Sequence, residues 1–331
     1  MTKFYFSIAI FLFLYGNIIA QSSPKNFKDN SINCSYNTLD GKLHGKYISW
    51  HKIGQKKSEG QFYKNNRIGT WKVWDNKGNL RCSRKYKNNF EYTSIIPKKT
   101  KDASIKLLNK YPYIPERNKD AYFDLFELEE TKAIYSKKYI SIILPQDNPI
   151  LFSKSILELF VANRDSDDFK NYNIFDRFQA KKFEINSLKD LKLIAYKTTK
   201  EYVYDLERQI MEARVICISP ILLDTITNTL YDDNWFYLEN ITPFLAKLPV
   251  ENFDKKIDVQ NISDIFFWKQ YSDLEIKNLI YQNEDYKDLD SSVFTDPNKL
   301  AELSKDCEKN TLTEIENEHS LWIEFTKNRQ K

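Results

Sequence analysis

Glycine is scarce in this chain. Only seven occur among 331 residues, all between Gly16 and Gly78. Glycine is the usual supplier of left-handed turns, so everything after Gly78 must turn on Asn, Asp and Pro instead. Cysteine is scarce too, with Cys34, Cys82, Cys217 and Cys307 the only four. That number excludes a disulfide framework, and no CxxC pair is present to suggest a metal. Histidine is limited to His44, His51 and His319. HExxH, GxSxG, Walker A and GxGxxG spacings are all missing, so no zinc, nucleophile-elbow or phosphate-loop chemistry is indicated. We therefore expect a non-enzyme with no cofactor and no metal. The paired carboxylates Asp167-Asp168 and Asp232-Asp233 lie in polar stretches and read as solvated charge. Two distant carboxylates acting on a glycoside stay open as an alternative. Charge of one sign is also lacking. Lys plus Arg number 50 against 46 acids, too even a balance for a nucleic-acid partner.

What is present begins with an export signal. Lys3 precedes an apolar run from Phe4 to Tyr15, and Ala20 stands before a polar switch at Gln21. This pattern predicts a signal peptide over residues 1–20, cleaved after Ala20. No cysteine stands at that point, so a lipoprotein is not expected. No later run reaches the about 20 apolar residues a membrane helix needs. The expected location is the periplasm, where Cys34 and Cys82 can pair. Cys217, inside Val215-Ile216-Cys217-Ile218, reads as a buried small hydrophobe.

The glycine-bearing part repeats itself. A shift of 24 residues aligns Gly45 with Gly69, Tyr47 with Trp71 and Trp50 with Trp74; it also aligns Gly54 with Gly78, Phe62 with Tyr86 and Asn65 with Asn89. A fixed period marks a repeated supersecondary unit, here an aromatic strand, a Gly turn and a second strand. Residues 21–92 are thus predicted to form β-hairpin repeats. Two hairpins bury little by themselves, so the module should dock on its neighbour or on a partner. Its aromatics are either hairpin core or a binding face. Residues 93–120, with Pro97, Pro112 and Pro115, read as a linker with a possible short helix over Ala103–Asn109.

Residues 121–331 predict a mixed α+β domain, giving an α+β chain with a small all-β N-terminal module. Helical spacing is expected over Phe123–Leu128, Ile150–Val161 and Ile262–Ile280. Short strands are expected over Leu191–Ala195, Tyr202–Leu206 and Arg214–Ile218. Pro297 after Asp296 opens a final helix of about 30 residues. Its stripe of Leu300, Leu303, Cys307, Ile315, Trp322 and Phe325 serves either as core or as a partner groove.

Several blocks carry a resemblance. Gly41-Lys42-Leu43-His44-Gly45-Lys46-Tyr47 and Ile68-Gly69-Thr70-Trp71 resemble MORN repeats of the variety related to the YwqK antitoxin. Further on come Ile194–Lys197, Glu201-Tyr202-Val203-Tyr204-Asp205 and Arg208–Ile216 leading to Pro220. Trp235–Glu239, Pro243–Lys247, Asp264–Phe267 and Glu318-His319-Ser320-Leu321-Trp322-Ile323-Glu324-Phe325 follow in order. Together these resemble the GldN/PorN family of the type IX secretion system, associated with gliding motility in Bacteroidetes-like bacteria. Inserted Ile323, Ser320 in place of an Asp, missing central glycines and the added repeats suggest a divergent paralogue. The resemblance implies a periplasmic subunit that assembles in a ring with a GldK/PorK-like outer-membrane lipoprotein. It also implies contact with a GldM/PorM-like motor protein, and with the membrane only indirectly. Such docking relies on aromatic anchors. The candidates are Trp235, Phe236, Tyr237, Phe266, Phe267, Trp268 and Trp322, each weighed against a place in the core. The alternative function is a MORN-like module recognising an envelope protein or surface glycan.

Overall fold

The computed structural model describes residues 23–96, 114–125, 128, 132–153, 156–163, 171–172, 180–181, 190–206, 208–227, 229–231, 235–251, 253–279 and 297–327. The expected signal peptide, the possible helix over Ala103–Asn109 and both Asp pairs lie outside them. The fold is α+β, as the patterning predicts.

The first sheet is antiparallel and eight-stranded. It comprises β1 (Ser23–Lys28), β2 (Asn33–Leu39), β3 (Lys42–Leu43), β4 (Gly45–Trp50), β5 (Lys56–Tyr63), β6 (Asn66–Trp74), β7 (Leu80–Tyr86) and β8 (Tyr92–Ile96). Its order is β1-β2-β4-β5-β6-β7-β8, with β3 on β2. The 24-residue period persists in the backbone. Gly45, Gly69, Gly54 and Gly78 have φ of 87°, 64°, 88° and 83°, where only glycine is at ease. Asn65 accepts the Leu43 N–H at 2.8 Å, and Asn89 accepts the Arg67 N–H at 2.8 Å. The boundary expected at residue 92 needs correction, because Tyr92 opens β8 and pairs with Tyr86.

The second sheet contains β9 (Ala133–Ile143), β12 (Leu191–Asp205), β13 (Ile210–Asp224), β14 (Leu230–Tyr231), β15 (Phe236–Tyr237) and β16 (Leu274–Leu279). Its order is β14-β13-β12-β9-β16, with β15 on β13; β10 (Asn171–Tyr172) and β11 (Ala180–Lys181) pair separately. The short strands expected here are parts of one long hairpin whose arms, β12 and β13, hold 15 residues each. Bulges at Leu193/Ala195 and Thr199/Lys200 break the alternation that would have shown their length.

The described residues also form the α-helices α1 (Pro149–Ser153), α2 (Ile156–Ala162), α3 (Leu238–Leu245), α4 (Ile262–Phe267) and α5 (Pro297–Lys327). The helix expected over Ile262–Ile280 stops at Phe267. A capping box between Asn261 and Asp264 starts α4, but Lys269 reverses the chain at φ 53° and β16 then pairs with β9. Phe123–Leu128 is not helical where described, and Phe123 instead bridges Arg117.

Two cores result. One lies between the second sheet and α1–α4, around Phe160, Tyr196, Ile218, Phe236, Ile241 and Ile265. The other joins Tyr47, Phe62, Trp71 and Tyr86 of the first sheet to Tyr204 of β12 and to Leu312 and Trp322 of α5. The repeats therefore dock on their neighbour, and α5 packs against β6, β7, β13 and β16.

This packing corrects two site expectations. Phe236, Phe266, Trp268 and Trp322 are buried in these cores, Trp235 is buried outside them, and Tyr237 and Phe267 are half-buried. Phe267 stacks on Phe90 and Phe123, at 5.1 and 4.8 Å between centroids. Large apolar rings gain more from internal burial than from solvent-facing positions. Cys34 and Cys82 are free and buried, on β2 and β7 with three strands between them. At about 4.8 Å per strand that separation exceeds disulfide reach.

Candidate functional site

The polar residues that converge most densely surround α5. Residues two apart on a helix face nearly opposite ways, so alternating acids reach opposite neighbours when both faces are covered. Glu316 turns to the first sheet, accepting the Tyr47 hydroxyl at 2.8 Å and pairing with Lys57 at 2.7 Å. Glu314 turns to the second, accepting the Tyr135 and Tyr139 hydroxyls, each at 2.6 Å. Glu318 bridges both, paired with Arg67 of β6 at 2.5 Å and accepting the Met211 N–H of β13 at 2.7 Å. Near the start of the helix Glu308 accepts the Tyr36 hydroxyl and pairs with Lys25.

The tip of the β12–β13 hairpin closes this node. Gln209, at φ 53°, presents its carbonyl to Arg84 Nη1 at 2.7 Å and to Trp322 Nε1 at 3.0 Å. The Tyr92 hydroxyl donates to the Arg208 carbonyl at 2.5 Å. Arg208 is itself held by Asp205 and by Glu212, the latter at 2.6 Å. The Arg84 guanidinium lies 4.2 Å from the Trp322 ring centre and 4.4 Å from that of Tyr92, so its charge is met by aromatic faces.

Burial alone would raise the Glu316 carboxyl, but His319 and Lys57 outweigh it and hold it well below the carboxylate range. Burial pulls His319 below its usual value against the attraction of Glu316, whose carboxylate lies 3.0 Å from Nδ1. Burial pushes the Cys34, Cys217 and Cys307 thiols up to about 12, so they are inert rather than nucleophilic.

Beside the node lies a cavity of about 380 Å³, between the first sheet, α5 and the second sheet. Arg67, Lys200 and Lys269 line it together with Phe62, Met211 and Leu312. Lys200 pairs with Asp273 at 2.8 Å and Glu275 at 2.5 Å; burial lowers its ammonium, and these acids more than reverse that. Burial brings the Lys269 ammonium down to about 8; Glu212 opposes this, and Lys200 and Arg67 reinforce it.

Of the residues singled out in the sequence, Trp322 and His319 belong to this node. His44 and His51 stand apart in the repeats, where His51 Nε2 meets the Trp74 carbonyl at 2.9 Å. Phe236, Phe266, Phe267 and Trp268 lie in the other core, Tyr237 pairs with Cys217 on β13, and Trp235 is buried with the Lys197 ammonium 5.0 Å from its ring centre. Arg67, Arg84, Lys200, Gln209 and Lys269 gave no signal as isolated polar residues. The Glu314, Glu316, Glu318 alternation did offer one, since acids on opposite helix faces beside apolar positions imply that both faces are covered. Among the described residues no group of three or more His, Cys, Asp or Glu is placed to hold a metal. No described helix is long and apolar enough to cross a membrane. No protein-family profile matches the chain, and no curated protein matches it.

Proposed function

We propose that the chain is a periplasmic structural and interaction subunit of a type IX protein-secretion machine. In this reading it assembles with a GldK/PorK-like outer-membrane lipoprotein, self-associates in a ring and meets a GldM/PorM-like motor protein. One observation carries the reading: the two GldN/PorN-like blocks, Glu201–Ile216 and Glu318–Phe325, fold against each other through Met211, Gln209, Glu318 and Trp322. Their polar groups join the repeats, the hairpin and the terminal helix, which is the work of a scaffold.

The aromatic face of the repeats is covered by α5. Partners must then meet outer surfaces, such as Ile53 in the β4–β5 turn and Ile226 in the β13–β14 turn, 69% and 75% exposed. Affinity purification of the chain from an envelope fraction tests the proposal. The lipoprotein and motor components should co-purify, and Ile53→Asp or Ile226→Asp should weaken that capture without changing the melting temperature. Capture of no envelope protein, or turnover of a small molecule by the chain, would overturn it.

A further inference from the structure

Charge is segregated along this chain, although its total is nearly balanced. Residues 23–113 carry 20 Lys and Arg against 6 Asp and Glu, and residues 114–331 carry 29 against 40. Part of that difference joins the two parts internally. Lys25, Lys57 and Arg67 of the first sheet pair with Glu308, Glu316 and Glu318 of α5, and Lys64 pairs with Asp254. The remaining lysines of the sheet have no such outlet, because successive residues of a strand point to opposite faces. Tyr47, Phe62 and Trp71 turn inward to the core shared with α5. The residues that alternate with them face away from it.

On that outer face stand Lys28, Lys46, Lys56, Lys72 and Lys85, all exposed, and Glu59 is the only acid within β1–β8. The registers gather them: Glu59 lies opposite Ile48 on one side and Lys72 on the other. Its carboxylate meets Lys56 at 2.6 Å and is held low chiefly by that contact, with Lys46 and Lys72 adding. Among the described residues Lys28, Lys46, Lys72 and Lys85 have no carboxylate within ion-pair distance. Half-buried Ile48, Trp50 and Trp74 share the face, and the Lys56 ammonium lies 5.5 Å from the Trp74 ring centre. Ile53, in the turn that follows Trp50, is exposed beside them. Aromatic and apolar side chains set among charges are the composition of a protein interface.

Like charges on neighbouring strands repel, and mixed signs are the ordinary arrangement of a solvated surface. The matching excess of acid belongs to the same chain, but to the part on the opposite side of the sheet. We infer that the outer face of the first sheet docks on the acid-rich part of a second copy, residues 114–331, in a head-to-tail contact. Such a contact uses a different surface on each copy, so it repeats from copy to copy and closes into a ring where the rotation allows. Its opposed charges set the register of the copies and speed their encounter. This rests on the ring assembly proposed above and deepens it by naming the two faces that meet.

The test is sedimentation velocity of the mature chain, residues 21–331, at about 0.1 M and about 1 M salt, where screening lengths are about 10 Å and about 3 Å. Concentration-dependent association is expected at the lower salt, with its loss at the higher. The combined variant Lys46→Glu, Lys72→Glu, Lys85→Glu should sediment as a monomer at both while keeping the wild-type circular dichroism. A second measurement covers a variant that fails to fold. Carbodiimide joins touching lysines and carboxylates, and an equal mixture of light and isotope-labelled wild-type chains shows by mass which links run between copies. Mixed-mass links from Lys46, Lys72 or Lys85 to acids of residues 114–331 are expected. A monomeric wild type at the lower salt, association that the folded variant keeps, or links confined to single copies would each overturn the inference. So would a monomeric chain that binds phosphatidylglycerol vesicles through these lysines, which gives the face to a membrane. The lipoprotein and motor take no part in this experiment, so its failure removes the contact while their capture still decides the secretion reading.

Discussion

At the residue scale the node is governed by a few side chains whose surroundings leave no slack. Gly60 has an ordinary φ, yet a Cβ there would lie 2.1 Å from the Trp71 ring. Trp71 is wedged between Phe62 and His319, so it cannot yield. Gly60→Ala should therefore cost about 1–3 kcal/mol, measured by urea denaturation, as overpacking does. Acid should loosen the same node. His319 is held below its usual 6.5, so protonation as pH falls through that value favours the unfolded chain. Glu316, held low, adds stability above the ordinary 4.5 that is lost as pH falls further. Denaturant midpoints should thus decline from pH 6.5 downward, and Glu316→Gln should flatten the part of that decline below pH 4.5; an equal slope there in the variant would contradict the pairing. Lys269 has the opposite sense. Its folded value of about 8 lies below its ordinary 10.5, so the unfolded chain binds the extra proton between those limits. Wild type should gain stability with rising pH over that window relative to Lys269→Met, by about 1–3 kcal/mol. A flat difference between the two proteins across pH 8 to 10.5 would show that Lys269 is solvated.

At the element scale α5 is the piece on which both sheets depend. Trp322, 1% exposed, packs beside Tyr86 and Arg84 while its indole N–H reaches Gln209. Trp322→Ala should cost about 3–5 kcal/mol by the measure of large core truncations, checked by thermal or chemical unfolding. Much of this element was legible: the Asp296-Pro297 start and the apolar stripe predict its length, and the stripe's Cys307 and Trp322 are core. The hairpin repeats were legible for the same reason, because each period repeats its glycines, its aromatics and its Asn. The turn at Lys269 was not. Any non-glycine residue can be forced into a left-handed conformation by its surroundings, and a run such as Ile265-Phe266-Phe267-Trp268 suits a helix or a buried loop equally. The length of β12 and β13 was obscured by bulges. The cavity was invisible because its lining comes from both sheets and α5 and is assembled only when the chain closes. The family-like blocks marked which segments meet, but not that their aromatics face inward.

At the scale of the molecule the loss of glycine after Gly78 marks a change of backbone rules between two parts, and the packing joins those parts. Tyr47, Phe62, Trp71 and Tyr86 of the first sheet share one apolar cluster with Tyr204, Leu312 and Trp322 of the second part. Around it run ion pairs that also cross the boundary, including Lys57 to Glu316 and Arg67 to Glu318. Removing either part would leave those rings in water and those carboxylates and cations without partners, two penalties that act together. Unfolding should therefore be one transition, with tryptophan fluorescence and far-UV circular dichroism giving coincident midpoints. Trp322→Ala should move both midpoints by the same amount, although Trp50, Trp71 and Trp74 report on the first sheet and the dichroism on the whole chain. A fragment ending at Ile96 should fail to melt cooperatively, since its sheet would lack the cover that α5 provides. Two separated transitions, or a cooperatively folded fragment of that length, would mean that the repeats stand alone. A surface cut from the chain would then keep its shape, whereas a single transition requires that docking be probed by point changes at exposed turns.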